Sequence, residues 1–189
     1  MKKVYLIHGW GGHPNEHFFS WLDKELKNKG FEVIQPQMPG TDYPKIEEWV
    51  SFLSNLVQNP DKKTFFVGHS IGCQTIMRYL EMLNTPVGGA VFVAGWFDLD
   101  NLETKEEKDV RKPWVETPID FEKIKTICPK ISVLLSDNEP FGFVKENKKI
   151  FEEKLNAKVS IMENKGHFCE DDGVTKLPEV LQAIEEMIK

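Results

Sequence analysis

An α/β protein with a mostly parallel, doubly wound sheet of about six strands and helices on both faces is predicted by three features of this sequence. Six short β-rich runs recur along the chain, segments with helical spacing of apolar residues separate most of them, and most of the runs are continuously apolar. Alternation of strand and helix with short links calls for right-handed crossovers and a parallel sheet. Continuous apolar runs suit strands covered on both faces. At 189 residues, with 40% apolar and 29% charged content, the chain can bury one substantial core, and it reads as a single domain over residues 1–189.

In chain order, Val4–His8 is the first strand. Phe18, Trp21, Leu22 and Leu26 then recur at i, i+3, i+4 and i+8, which predicts a helix. Phe31–Gln35 is the second strand, and Ile46, Trp49, Val50, Leu53 and Leu56-Val57 mark the second helix. Thr64–Gly68 is the third strand, with a helix from Ile71 to Leu83 behind it; Gly89–Ala94 is the fourth. Trp96–Pro129 breaks the pattern, being charged, Pro-containing and only weakly helical, and is expected to be a long connection able to cover the C-terminal edge of the sheet. Ile131–Ser136, a helix from about Val144 to Leu155, Lys158–Met162 and a last helix carrying Val180, Leu181, Ile184, Met187 and Ile188 complete the alternation.

The charge of −6 and the interleaving of Lys with Glu and Asp leave no basic stripe, so nucleic acid is not an expected partner. After Met1-Lys2-Lys3 the apolar run is only Val4–Ile7, too short for a signal segment or a membrane span, and a cytoplasmic protein without a membrane partner is expected. Cys73, Cys128 and Cys169 are odd in number and scattered, which fits a reducing compartment and neither a disulfide framework nor a CxxC zinc site.

On a doubly wound sheet, chemistry gathers at the carboxyl ends of the strands. The third strand ends in Gly68-His69-Ser70-Ile71-Gly72, the G-x-S-x-G pattern of a nucleophile elbow, where a sharp strand-to-helix turn exposes the serine oxygen and points the following amide, that of Ile71, into the same space. The plainer account is a glycine-edged turn before a helix. The first strand ends in His8-Gly9-Trp10-Gly11-Gly12, a loose loop whose Trp10 amide would pair with that of Ile71 as an oxyanion hole. Neither G-x-x-x-x-G-K-[ST] nor G-x-G-x-x-G occurs, which argues against a phosphate loop. His8 is expected to brace this loop, and His13 and His17 to have surface or packing roles. After the last strand, Asn164-Lys165-Gly166-His167-Phe168 offers His167 as the base that a serine hydroxyl needs at neutral pH.

The elbow, the H-G-x-G-G loop and the C-terminal G-H-F resemble the α/β-hydrolase superfamily, and within it the small serine hydrolases of the YdeN and retinoblastoma-binding protein nine type. The resemblance extends over Trp21 with Lys24-Glu25-Leu26, Met38-Pro39, Met77-Arg78-Tyr79, Phe121–Lys125 with Cys128-Pro129, and Ser136–Phe141. It implies a compact α/β-hydrolase fold without the usual N-terminal strand pair and without a large lid domain. In that family the strand end reads like S-x-x-D-P-F, the Asp before proline being the triad acid; here Ser136-Asp137-Asn138-Glu139-Pro140-Phe141 puts Glu139 in its place. Glutamate can accept the second imidazole N–H. Asp137 is the runner-up acid, and Asp98 a more distant third. The L-x-C-x-E motif associated with binding the retinoblastoma protein does not occur, so no protein partner is inferred.

These features point to a serine hydrolase of esterase or amidase/aminopeptidase-like type acting on a small ester or amide, with Ser70 as nucleophile, His167 as base then acid and Glu139 as orienting carboxylate. It calls for no metal and no organic cofactor. Trp10, Trp96, Phe97, Phe141, Phe143 and Phe168 lie beside strand ends; Trp10, Trp96, Phe141 and Phe168 are taken as the substrate-binding set. The alternative is a noncatalytic ligand- or protein-binding module that retains the fold.

Overall fold

The computed structural model describes residues Met1–Lys189 as one six-stranded, all-parallel sheet of order β2-β1-β3-β4-β5-β6. The strands are β1 (Lys2–Ile7), β2 (Phe31–Ile34), β3 (Thr64–His69), β4 (Gly89–Val93), β5 (Ile131–Ser136) and β6 (Lys158–Met162). The helices are α1 (Phe19–Asn28), α2 (Ile46–Leu56), α3 (Ile71–Leu80), α4 (Lys105–Glu116), α5 (Phe121–Ile127), α6 (Val144–Leu155) and α7 (Pro178–Ile188), with a short 3₁₀ turn at Glu170–Asp172. Each of the six runs read as strands from the sequence is a strand.

Handedness divides the helices between the faces. The chain steps one way from β1 to β2 and the opposite way for every later strand, so right-handed crossovers put α1 on one face and α2, α3, α5 and α6 on the other. The core follows this division. Tyr5, Ile7, Phe66, Phe92, Val133 and Leu135 pack under the α2/α3/α6 layer. Val4, Leu6, Phe65, Val67, Val91 and Leu134, their neighbours on the pleat, pack under α1 and α7. The central strands β3 and β4 are buried at every position, whereas the outer strands β2 and β6 are partly exposed. Reversal of strand order falls between β1 and β3, whose carboxyl ends lie side by side with Ile7 opposite Gly68.

Trp96–Pro129 departs from expectation, because it folds into α4 and α5. Its high charge hides the helical pattern, since Trp114 is the one buried residue of α4. The local signal is at the helix start, where Thr104 and Glu107 form a capping box. Buried Arg78 of α3 fastens the other end by donating to the carbonyls of Trp114 and Thr117, each at 2.9 Å. No helix is long and apolar enough to cross a membrane. Cys73 and Cys128 are buried and Cys169 half-buried, all three as free thiols.

Candidate active site

Ser70 stands between β3 and α3 with φ 53° and ψ −122°, a backbone conformation that L-residues rarely adopt. Its amide donates to the Val93 carbonyl of the neighbouring strand at 2.9 Å, which fixes the turn. The positive φ belongs to the serine itself, and the flanking glycines supply room. A Cβ on Gly68 would lie 2.7 Å from the Cys73 nitrogen, and one on Gly72 would run into the Ile7 carbonyl and sit 2.7 Å from that of His8. Helix α3 can therefore start directly against the ends of β1 and β3.

The loop after β1 approaches as closely. A Cβ on Gly9 would lie 3.4 Å from Ser70 Cβ. Glu16, almost fully buried, accepts from the amides of Gly9 (3.4 Å) and His13 (3.0 Å), and its carboxylate fills the place a side chain on Gly12 would need. His8 braces the loop, donating from Nδ1 to the Gly9 carbonyl (2.8 Å) and accepting at Nε2 from the Met38 amide (3.0 Å); burial pushes its pKa down. The Trp10 indole donates to the Asp42 carbonyl at 2.9 Å. The Trp10 amide has no backbone acceptor, while those of Gly11 and Gly12 donate to Thr41 and Gly9. Ile71 opens α3, so its amide has no partner within the helix.

His167 is held at three polar handles. Its Nδ1 donates to Glu139 Oε1 at 2.7 Å, with the two side chains only 13% and 10% exposed. Its amide donates to Asp172 Oδ2 (2.9 Å), and its carbonyl accepts from Nε2 of His69 (2.8 Å). His69 is fully buried, and burial together with neighbouring His167 holds its pKa well below the ordinary imidazole range. The imidazole of His167 also meets the Phe141 ring edge-on, centroids 4.9 Å apart.

Asp137 turns elsewhere, accepting from the Asn164 amide at 2.8 Å. Asp98 pairs with Arg111 of α4. Neither touches His167.

These groups meet in a cavity of about 340 Å³ at the carboxyl ends of β1, β3 and β4. Ser70, His167, Trp10, Ile71, Trp96 and Phe141 all line it. Phe168 does not. Its ring is wholly buried in the α1/α7 core, and its backbone has a positive φ of 61°. Phe97 packs instead against Phe121 and Phe151. Leu99 and Leu102 from the connection after β4, Glu107 of α4, and Glu16, His17 and Cys169 also reach the cavity, and nothing in the sequence marks them as cavity-lining, the capping motif of Glu107 signalling only a helix start. Burial, and then the charges of Asp172, Glu16, Glu139 and Asp171, push the Cys169 thiol up to about 12, which disfavours its thiolate.

One histidine–carboxylate cluster has metal-like spacing: Glu16, His17 and His69, with ligand atoms within 4.8 Å of one another. Its members already take part in hydrogen bonds. His17 Nδ1 accepts from the Glu170 amide, which leaves its proton on Nε2, and both Glu16 oxygens already accept from amides. Only Nδ1 of His69 lacks a partner.

Comparison with known proteins places the chain in a family. The sequence model of a family described as serine hydrolase matches residues 4–186. YdeN of Bacillus subtilis (strain 168), named as a hydrolase, is 31% identical over 189 residues, covering 97% of this chain and 94% of its own. Serine hydrolase RBBP9 of Rattus norvegicus is 28% identical over 190 residues, covering 99% and 95%. The crystal structure of the ydeN gene product from B. subtilis superposes with a TM-score of 0.91 at 27% identity, over 100% of this chain and 99% of that one.

Proposed function

The chain belongs to the serine hydrolase family, and from that premise we propose that it cleaves small carboxylic esters or amides through Ser70, His167 and Glu139 by way of an acyl-enzyme. The observation that carries this reading is the 2.7 Å hydrogen bond from His167 Nδ1 to Glu139, made beside a strained Ser70 in a shared cavity. That bond puts the proton on Nδ1 and leaves Nε2 with the lone pair a general base needs.

In this account the Ser70 hydroxyl attacks the substrate carbonyl carbon while His167 takes its proton. The oxyanion that forms is stabilised by the amides of Trp10 and Ile71, which are not spent on other backbone acceptors. Each such donor contributes about 3 to 4 kcal/mol in the transition state. Imidazolium, stabilised by Glu139, protonates the leaving alcohol or amine as the tetrahedral species collapses to a Ser70 ester. Water, deprotonated by the same imidazole, then attacks that ester and releases the acid and the free serine. Trp96, Leu99, Leu102 and Phe141 provide apolar walls suited to a short or medium acyl group.

Turnover of a panel of acyl esters and aminoacyl amides, with Ser70→Ala as the blank, tests the reading and sets ester against amide. Hydrolysis above the blank is expected. Equal rates for the two proteins on every substrate would favour a binding module.

A further inference from the structure

We propose that Ser136 and Asn138 are positioning residues that set the register between the turn carrying Glu139 and the loop carrying His167. The proposal rests on the reading of His167 as the base. The four consecutive amides of Asn164, Lys165, Gly166 and His167 donate to no backbone carbonyl; each donates to a side chain. Asp137 takes the Asn164 amide (2.8 Å), Ser136 Oγ that of Lys165 (2.9 Å), Asn138 Oδ1 that of Gly166 (2.8 Å) and Asp172 that of His167 (2.9 Å). No sheet ladder aligns this loop, so side chains must.

Ser136 and Asn138 are the joint of this clasp. Fully buried Ser136, the last residue of β5, donates its hydroxyl to Asn138 Oδ1 at 2.6 Å while accepting from Lys165. One amide oxygen thus ties the end of the strand to the loop. Asn138 immediately precedes Glu139, and Gly166, which it holds, immediately precedes His167. The Asn138–Gly166 bond therefore brings the carboxylate and the imidazole level with each other. A slip of one residue would move the loop by about 3.8 Å, which would break the 2.7 Å His167–Glu139 contact.

A device of this kind differs from a general prop for the loop. It acts on the orientation of the base, so its loss should lower kcat and leave KM in place, and a variant that keeps the acceptor oxygen should restore the rate. The experiment compares Asn138→Leu, Asn138→Asp and Ser136→Ala with wild type in ester turnover, in the rate constant and end point of fluorophosphonate labelling, and in thermal melting. Asn138→Leu is expected to lose about 10- to 100-fold in kcat, since a misplacement near 1 Å can cost that much, with KM within about twofold. Its labelling should slow by a similar factor yet still reach one label per chain. Asn138→Asp, which retains both acceptor contacts, should keep most of the rate.

Wild-type kcat in Asn138→Leu would overturn the proposal, as would equal losses in the Leu and Asp variants. If Asn138→Leu does not fold, Ser136→Ala decides: an approximately tenfold or larger loss of kcat at constant KM supports the clasp, and an unchanged kcat refutes it. Failure of the underlying reading looks different, because His167→Ala would then turn over the ester and take up the label as wild type does.

Discussion

Replacing Glu139 by Gln changes one atom and should remove most of the turnover. The Glu139 carboxylate accepts the His167 Nδ1 proton at 2.7 Å, in a pair that is 13% and 10% exposed. A charged acceptor in so dry a place both fixes the imidazole and stabilises imidazolium. Glutamine offers two faces. Its oxygen keeps the orientation without the charge, and its NH₂ forces Nδ1 to become the acceptor, which moves the ring proton to Nε2 and deprives Ser70 of its base. Loss of the corresponding acid by amide substitution lowers kcat by about 10⁴ where serine, base and oxyanion hole survive, or about 5.4 kcal/mol at 1.36 kcal/mol per decade. Asp137→Asn is the internal control. Its amide oxygen can still accept from Asn164, so less than a tenfold loss is expected. Steady-state hydrolysis of an activated ester reads both variants, with phosphonate labelling to count intact sites. The reverse ranking would refute the assignment of Glu139, and near-full activity in both would remove each from the mechanism.

Two further outcomes follow from the packing. His8 and His69 have folded-state pKa values pushed down by burial, so the unfolded chain binds more protons and stability must fall as pH drops below the unfolded value of about 6.5. Each contributes at most about 1.4 kcal/mol of loss between pH 7.5 and 5.5, read as a lower urea midpoint; a midpoint unchanged over that range would contradict the assignment of both rings as buried and neutral. Gly72→Ala would drive a methyl group into the Ile7 and His8 carbonyls, costing about 2 kcal/mol and lowering Tm by about 4–8 °C, whereas an unchanged Tm would show that α3 can start farther from β1.

What could be read in the sequence depended on whether the cause is local. The six strands and the helices packed closely on the sheet announce themselves through apolar runs and spacing, and the sharp turn at Ser70 through the two glycines around it. Ser136–Phe141 likewise marks the end of β5 and the turn that carries both Asp137 and Glu139, between which the family resemblance and Pro140 favour Glu139. Helix α4 was hidden because it buries little besides Trp114, although Thr104-x-x-Glu107 is a readable start signal. Phe168 illustrates the opposite error: proximity to His167 in sequence suggested the cavity, whereas the ring is buried in the α1/α7 core. The roles of Asp172, His69 and Glu16 in holding the two loops arise only when distant segments meet, and nothing in the order of residues foretells them. The purpose of the glycines was half legible. A tight turn was expected, but the strained φ falls on Ser70 and the glycines make space for a neighbouring strand.

The central claim is that Ser70 is a nucleophile activated in place by His167. Intact-mass analysis after treatment with a fluorophosphonate, followed by peptide mapping, tests it most directly. One adduct per chain, located on Ser70, absent from Ser70→Ala and formed far more slowly in His167→Ala, is the predicted result. Labelling of Ser70→Ala to the same extent, or an adduct mapped to any other residue, would contradict it.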